Sequence, residues 1–171
     1  MVVGKGKGQV WHPWMDLAAA YSIRGYRGDG WRMQVWVTEA LLAQWGISCE
    51  ELQRQAMENL RKDHYQIRSI PQILKETFPD SGHHQEMERL PEMELQMQVF
   101  TNEEMWNGAA GMMEPGFLNR LGKKGDFYIL PSSIHEVILL YDTKEFERES
   151  LNEMVRQINE EQVAPQERLA D

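Results

Sequence analysis

Phe127-Tyr128-Ile129-Leu130-Pro131-Ser132-Ser133-Ile134-His135-Glu136-Val137-Ile138-Leu139-Leu140-Tyr141 reads as two extended arms joined by a turn. β-branched and aromatic residues fill both arms, and Pro-Ser-Ser supplies the break between them. The spacing predicts an antiparallel hairpin of 127–130 with 134–141. The second arm is apolar at consecutive positions, so both of its faces need cover, which predicts a central strand. Working back along the chain, Met93, Leu95, Met97 and Val99 alternate with Glu94, Gln96 and Gln98, a strand pattern with one dry face. Further back, Leu17, Ala19, Tyr21 and Ile23 share one side of a segment over 16–23. Trp31, Met33, Val35 and Val37 do the same in the next, with Arg32, Gln34 and Trp36 opposite them. Turn formers fill 24–30, which predicts a second hairpin, dry on its apolar face and wet on the other.

Helical segments lie between and after these strands. Thr38 caps Glu39 to Trp45, and Gly46 stands where a left-handed residue closes a helix. Ser48-Cys49-Glu50-Glu51 is a capping box with Ile47 and Leu52 as its hydrophobic staple. It opens a helix to about Asp63 whose stripe is Cys49, Leu52, Ala56 and Leu60. Pro71 starts a shorter helix to Phe78, and Glu114-Pro115 another, through Phe117 and Leu121 to Gly122. Ser150-Leu151-Asn152-Glu153 repeats the capping-box pattern before Met154, Val155 and Ile158. The predicted class is α+β: a mainly antiparallel sheet of about five strands with about four helices packed on one face. Residues 1–13, with Gly4, Gly6, Gly8 and His12-Pro13, read as a flexible leader to a single domain over 14–171.

Composition sets bounds on function. Of 171 residues, 42% are hydrophobic, and the 13 glycines bring the apolar share to about 50%, ordinary for a folded domain. A net charge of -9 makes nucleic acid and anionic membrane poor partners. The lone Cys49 fits a reducing compartment, hence the cytoplasm, and no apolar run reaches the ~18 residues of a membrane span. No cofactor or metal is indicated by the residues.

Four stretches carry a family resemblance: Asp16-Leu17-Ala18-Ala19-Ala20-Tyr21; Trp45-Gly46-Ile47-Ser48 leading into Glu51-Leu52 and Ala56-x-x-Asn59; Asn107-Gly108-Ala109-Ala110; and Tyr128 to Val137. Over nearly all of 14–171 the chain resembles the C-terminal portion of the domain of unknown function 5688 family. That resemblance implies a bacterial, largely clostridial Firmicutes context and a cytoplasmic protein. It also implies an additional N-terminal region absent from this sequence. It implies no activity.

The candidate sites follow from residue chemistry. Ser133, His135 and Glu136 bring a hydroxyl, an imidazole and a carboxylate to one turn. Ser133 and His135 are candidates for a nucleophile and its base in a small hydrolase, although serine in turns more commonly bonds local backbone. Asn107 and Gly108, with Ser132, are candidates for ligand binding, because a small-residue loop lets backbone amides approach an anion; close packing is the commoner use of such residues. His83, His84, Glu86 and Glu88 offer ligand atoms without the fixed spacing that a metal site needs. Gly4-Lys5-Gly6-Lys7-Gly8 lacks the strand and the Ser/Thr of a phosphate loop. Residues 1–34 hold five basic and two acidic side chains, whereas 142–171 hold four basic and nine acidic. Among 11 methionines and 6 tryptophans, Trp11, Trp14 and Trp36 fall outside the predicted core and are candidates for an interface. The expected function is a non-catalytic interaction or docking module, its partner the absent N-terminal region or another protein.

Overall fold

Leu139 and Leu140 are neighbours in one strand, project to opposite sides, and are both fully buried. Cover on both faces of that strand organises the molecule. The computed structural model describes residues 8–26, 30–77 and 96–169. The described residues form a mixed α and β structure whose main sheet has the order β5(Tyr65–Ser69), β6(Gln98–Asn102), β8(Val137–Tyr141), β7(Phe127–Leu130), every pair antiparallel. The hairpin of β7 with β8 and the interior place of β8 are as the sequence predicts, although the second arm starts at Val137 and not at Ile134.

One face of this sheet buries Phe100, Val137 and Leu139 with Ala109, Met112, Phe117 and Leu121. Those partners come from a 3-10 turn over Gly108–Met113 and from the short helix α4(Phe117–Gly122). The opposite face buries Met97, Leu130 and Leu140 with Leu151, joined by Met154 and Val155 of α5(Arg148–Gln162). Helical cover is therefore on both faces of the antiparallel sheet rather than on the one face expected, as a strand apolar at every position requires.

The N-terminal part forms two two-stranded sheets, β1(Trp11–Trp14) with β2(Leu17–Ala20) and β3(Ser22–Tyr26) with β4(Arg32–Trp36). α1(Glu39–Trp45) and α2(Cys49–Lys62) follow, capped by Thr38 and by the Ser48/Glu51 capping box, and Gly46 at φ 68° ends α1. Val10, Tyr21 and Val37 form a third cluster, against which Leu42, Leu52 and Ala56 pack. α3(Ile70–Thr77) completes the set.

Five expectations need correction. Residues 8–13 are not leader: Val10 is buried and bonds Val37, and Trp11 to Trp14 pair with β2. Proline is tolerated there because a two-stranded ribbon has only edges. The predicted strand over 16–23 breaks at Tyr21, so β2 and β3 belong to different hairpins. β5 was unforeseen, a short edge strand directly after a helix. β6 starts at Gln98 and has no wet face, since consecutive residues Val99 to Asn102, which point to alternate sides of the sheet, are all buried; Met93 and Leu95 lie outside the described residues. Ser150 does not cap: α5 begins at Arg148 after Glu147, with no side-chain cap.

The β3–β4 hairpin also reverses its predicted polarity. Ile23, Met33 and Val35 stand about two-fifths exposed, while the side that carries Arg24, Tyr26, Arg32 and Gln34 faces the rest of the protein. Arg24 donates to the Trp106 carbonyl and pairs with Asp63; Tyr26 bonds Glu104; Arg32 bonds the Glu104 carbonyl and lies over the Trp106 ring; Gln34 accepts from Asn107. Charge-assisted bonds of this kind dock the hairpin where hydrophobic burial was expected.

Candidate functional site

The two most distinctive stretches of the sequence meet in space. Asn107 adopts a left-handed φ of 54°, a conformation that Asn tolerates better than other side chains. This turn presents its amide N–H to Nδ1 of His135 at 3.1 Å. The imidazole is thereby fixed with its proton on Nε2, which faces Oε1 of Glu167 at 3.6 Å. Ser133 Oγ accepts from the His135 backbone amide at 3.1 Å, and Ser133 and Glu136 exchange backbone bonds. Thr101 donates to the His135 carbonyl at 2.8 Å.

This geometry joins Asn107 to the His135 ring and bonds Ser133 only to the His135 backbone. The ring nitrogen that a serine nucleophile would need is occupied by a backbone donor, and the serine oxygen serves its own turn. Residues 133–136 lie outside the strands, in a turn held by the Ser133 and Glu136 backbone bonds. Glu136 is largely withdrawn from water, and burial raises its pKa against a smaller opposing effect of His135. Ser132 is buried beside a gap of about 10 Å³ with Ile158 and Asn159, too small for anything beyond a single water.

Gly108 is a packing position. A Cβ there would lie 2.4 Å from the Asn102 nitrogen and from Thr101 Oγ1, and 2.8 Å from the His135 carbonyl. Gly111 is equally crowded, against the rings of Tyr65 and Phe100. Of the candidate interface tryptophans, Trp11 is exposed, Trp36 is half-buried, and Trp14 packs on the main core. Trp31 and Trp45, unselected from the sequence, are as open as Trp11 or more so. The His83-His84-Gln85-Glu86 stretch and Gly4 to Lys7 lie outside the described residues.

A cleft of about 460 Å³ lies elsewhere, between α2, the N-terminal hairpins and the 3-10 turn. Its helical wall is Leu52, Ala56, Leu60 and their neighbours, the stripe that the sequence shows. α2 has no fully buried residue, so this stripe is only partly covered by protein. One end holds Tyr21, whose hydroxyl bonds His12 Nδ1 at 2.8 Å. Burial pushes the Tyr21 phenol up to about 12 and holds the His12 imidazole below its usual value, so both are neutral at pH 7. The other end holds Arg24 and Asp63, 3.3 Å apart. Asn102, fully buried, donates to Asp63 and to the Trp106 carbonyl and accepts from the Trp106 amide. Sequence reasoning passed over Asn102, Asp63, Tyr21 and His12 as site residues. The one local sign was an asparagine closing the apolar Val99-Phe100-Thr101 run.

Among the described residues no three His, Cys, Asp or Glu side chains converge as metal ligands do, and no helix is long and apolar enough to cross a membrane. Comparison with curated proteins and with solved structures finds no match. The family described as "Family of unknown function (DUF5688)" does match, over residues 7–171. Since that span takes in all four stretches on which the resemblance rests, the chain belongs to this family.

Proposed function

We propose that this chain is a non-catalytic binding module and that its recognition site is the cleft along α2. The observation that carries this reading is the amphipathic stripe of a 14-residue helix that closes only in part on the Val10, Tyr21 and Val37 cluster and otherwise lines about 460 Å³ of open space. That volume is in the usual range for small-molecule sites, and the lining has the usual character, apolar walls with a few polar groups. The hydrolase reading has less support, because the Ser133 hydroxyl bonds the His135 backbone, the His135 ring bonds the Asn107 amide, and neither residue lines the cleft.

A ligand-detected NMR screen with a chemically mixed fragment library tests the proposal. Fragments that compete with one another and lose binding on Ala56→Trp, a substitution that fills the cleft, support it. Hits that ignore this substitution, or that shift His135 resonances, contradict it. In the same preparation, Ser133→Ala and His135→Ala should leave the hydrolysis of a p-nitrophenyl ester at the buffer rate shared by the unsubstituted protein. Hydrolysis above that rate, abolished by either change, would restore the enzyme reading.

A further inference from the structure

The shape and polar equipment of the cleft narrow what it takes. Lining residues follow α2 from Leu52 to Asp63, which at 1.5 Å per residue is roughly 16 Å of length. Spread over that length, the volume leaves the centre of a water molecule a path about 6 Å across, which is about 9 Å from wall to wall and narrower than a helix with its side chains, about 10–12 Å. The occupant is therefore a single-file molecule. Its walls are Ala19, Ala20, Val37, Leu52, Ala56 and Leu60, with Met57 and Met113 as adaptable thioethers.

Polar groups in the lining are largely matched to one another. Tyr21 is bonded to His12, Arg24 to Asp63, and Gln55 to Asn59. The only formal charges among these pairs cancel, so an ionised ligand would be desolvated with no free counter-charge. An extended peptide would bring N–H and C=O groups along both of its edges, and the helix face that forms one wall offers no ladder to receive those turned toward it. We infer that the cleft takes an elongated, uncharged, mainly apolar small molecule with a single hydrogen-bonding end, seated along α2 with that end at the Tyr21/His12 pair. The inference rests on the cleft being the recognition site and adds the ligand's chemistry.

Titration with N-phenyl-1-naphthylamine, an uncharged apolar fluorophore, followed by displacement with 1-decanol, decanoate and decyltrimethylammonium below their aggregation concentrations, tests it. The expected result is one probe per chain, displaced by decanol at concentrations at least tenfold lower than by either ion. Ala56→Trp and Leu60→Trp should each weaken the probe at least tenfold while the circular dichroism stays unchanged. In the unsubstituted protein, decanol should shift the methyl resonances of Met57 and Met113, a readout that needs no variant. Ions that displace as well as decanol overturn the ligand class and leave the cleft as the site. The same holds if the probe fails to bind while cleft-directed fragments succeed. Probe binding unchanged in both folded variants, with silent methionine methyls, overturns the ligand class and the site together.

Discussion

Asn107 shows how one residue can look like a ligand group and serve as a hinge pin. Its left-handed backbone aims its own N–H at His135, and its side chain holds Gln34 of the hairpin at 3.1 Å. Asn107→Ala loses the side-chain bond and strains the backbone, whereas Asn107→Gly loses only the bond. The glycine variant should be the more stable by about 1 kcal/mol in chemical denaturation. Gly108→Ala should cost about 1–3 kcal/mol or more, because two of the three atoms met by the new methyl belong to backbone. A denaturation midpoint within error of the unsubstituted protein would contradict the packing role. Glu136 gives a pH signature. Burial raises its folded pKa above the ordinary 4.5, so its contribution to stability is fully present below that value and is lost as pH rises through the raised pKa. Glu136→Gln should therefore raise the unfolding midpoint at pH 7 and change it little at pH 4. Equal effects at the two values would exclude this account of the carboxylate.

Secondary elements differ in how far their own sequences foretell them, and the difference follows the distance to their partners. The start of α2 was legible to the residue, since a capping box is closed by groups three positions apart: Ser48 N to Glu51 Oε2 at 2.8 Å and Glu51 N to Ser48 Oγ at 3.1 Å. The place of β8 was legible because consecutive apolar residues need cover on both sides. The orientation of β3–β4 was not, because Glu104, Trp106 and Asn107, which draw Arg24, Arg32 and Gln34 inward, lie some 70 to 80 residues away in sequence. Alternation identifies two faces of a strand without saying which one meets the protein. Likewise α2's stripe was readable and the cleft beside it was not. Since polar bonds dock the hairpin, Asp63→Ala should destabilise by about 1–3 kcal/mol, leaving Arg24 and Asn102 short of an acceptor. Backbone amides of β3 and β4 should then exchange faster while those of β8 keep their protection. Uniform loss of protection would mean that the hairpin and the main sheet open as one unit.

Among the described residues, apolar surface open to solvent includes the outer side of the hairpin and the cleft. Ile23, Met33 and Val35, each about two-fifths exposed, fall well short of the roughly 800 Å² per partner that a standard interface buries. The chain should therefore run as a 20.0 kDa monomer at micromolar concentration in light scattering, and a dimer broken by Val35→Lys would show that this side is an interface. The cleft is concave and bordered by neutral or mutually neutralised groups, which suits it to a small guest better than to a second protein. The four stretches that identify the family divide between these features. Asn107 to Ala110 and Tyr128 to Val137 meet at His135, whereas Asp16 to Tyr21 and Trp45 to Asn59 contribute about half of the cleft lining, to which Asn107 and Ala110 also belong.

Amide hydrogen exchange with and without saturating 1-decanol tests the central claim most directly. The account predicts slowed exchange confined to α2 and to β2 and β3 on the facing wall, with β7, β8 and the turn at Ser133 unchanged. Protection centred on residues 132–136, or no change along α2, would contradict it.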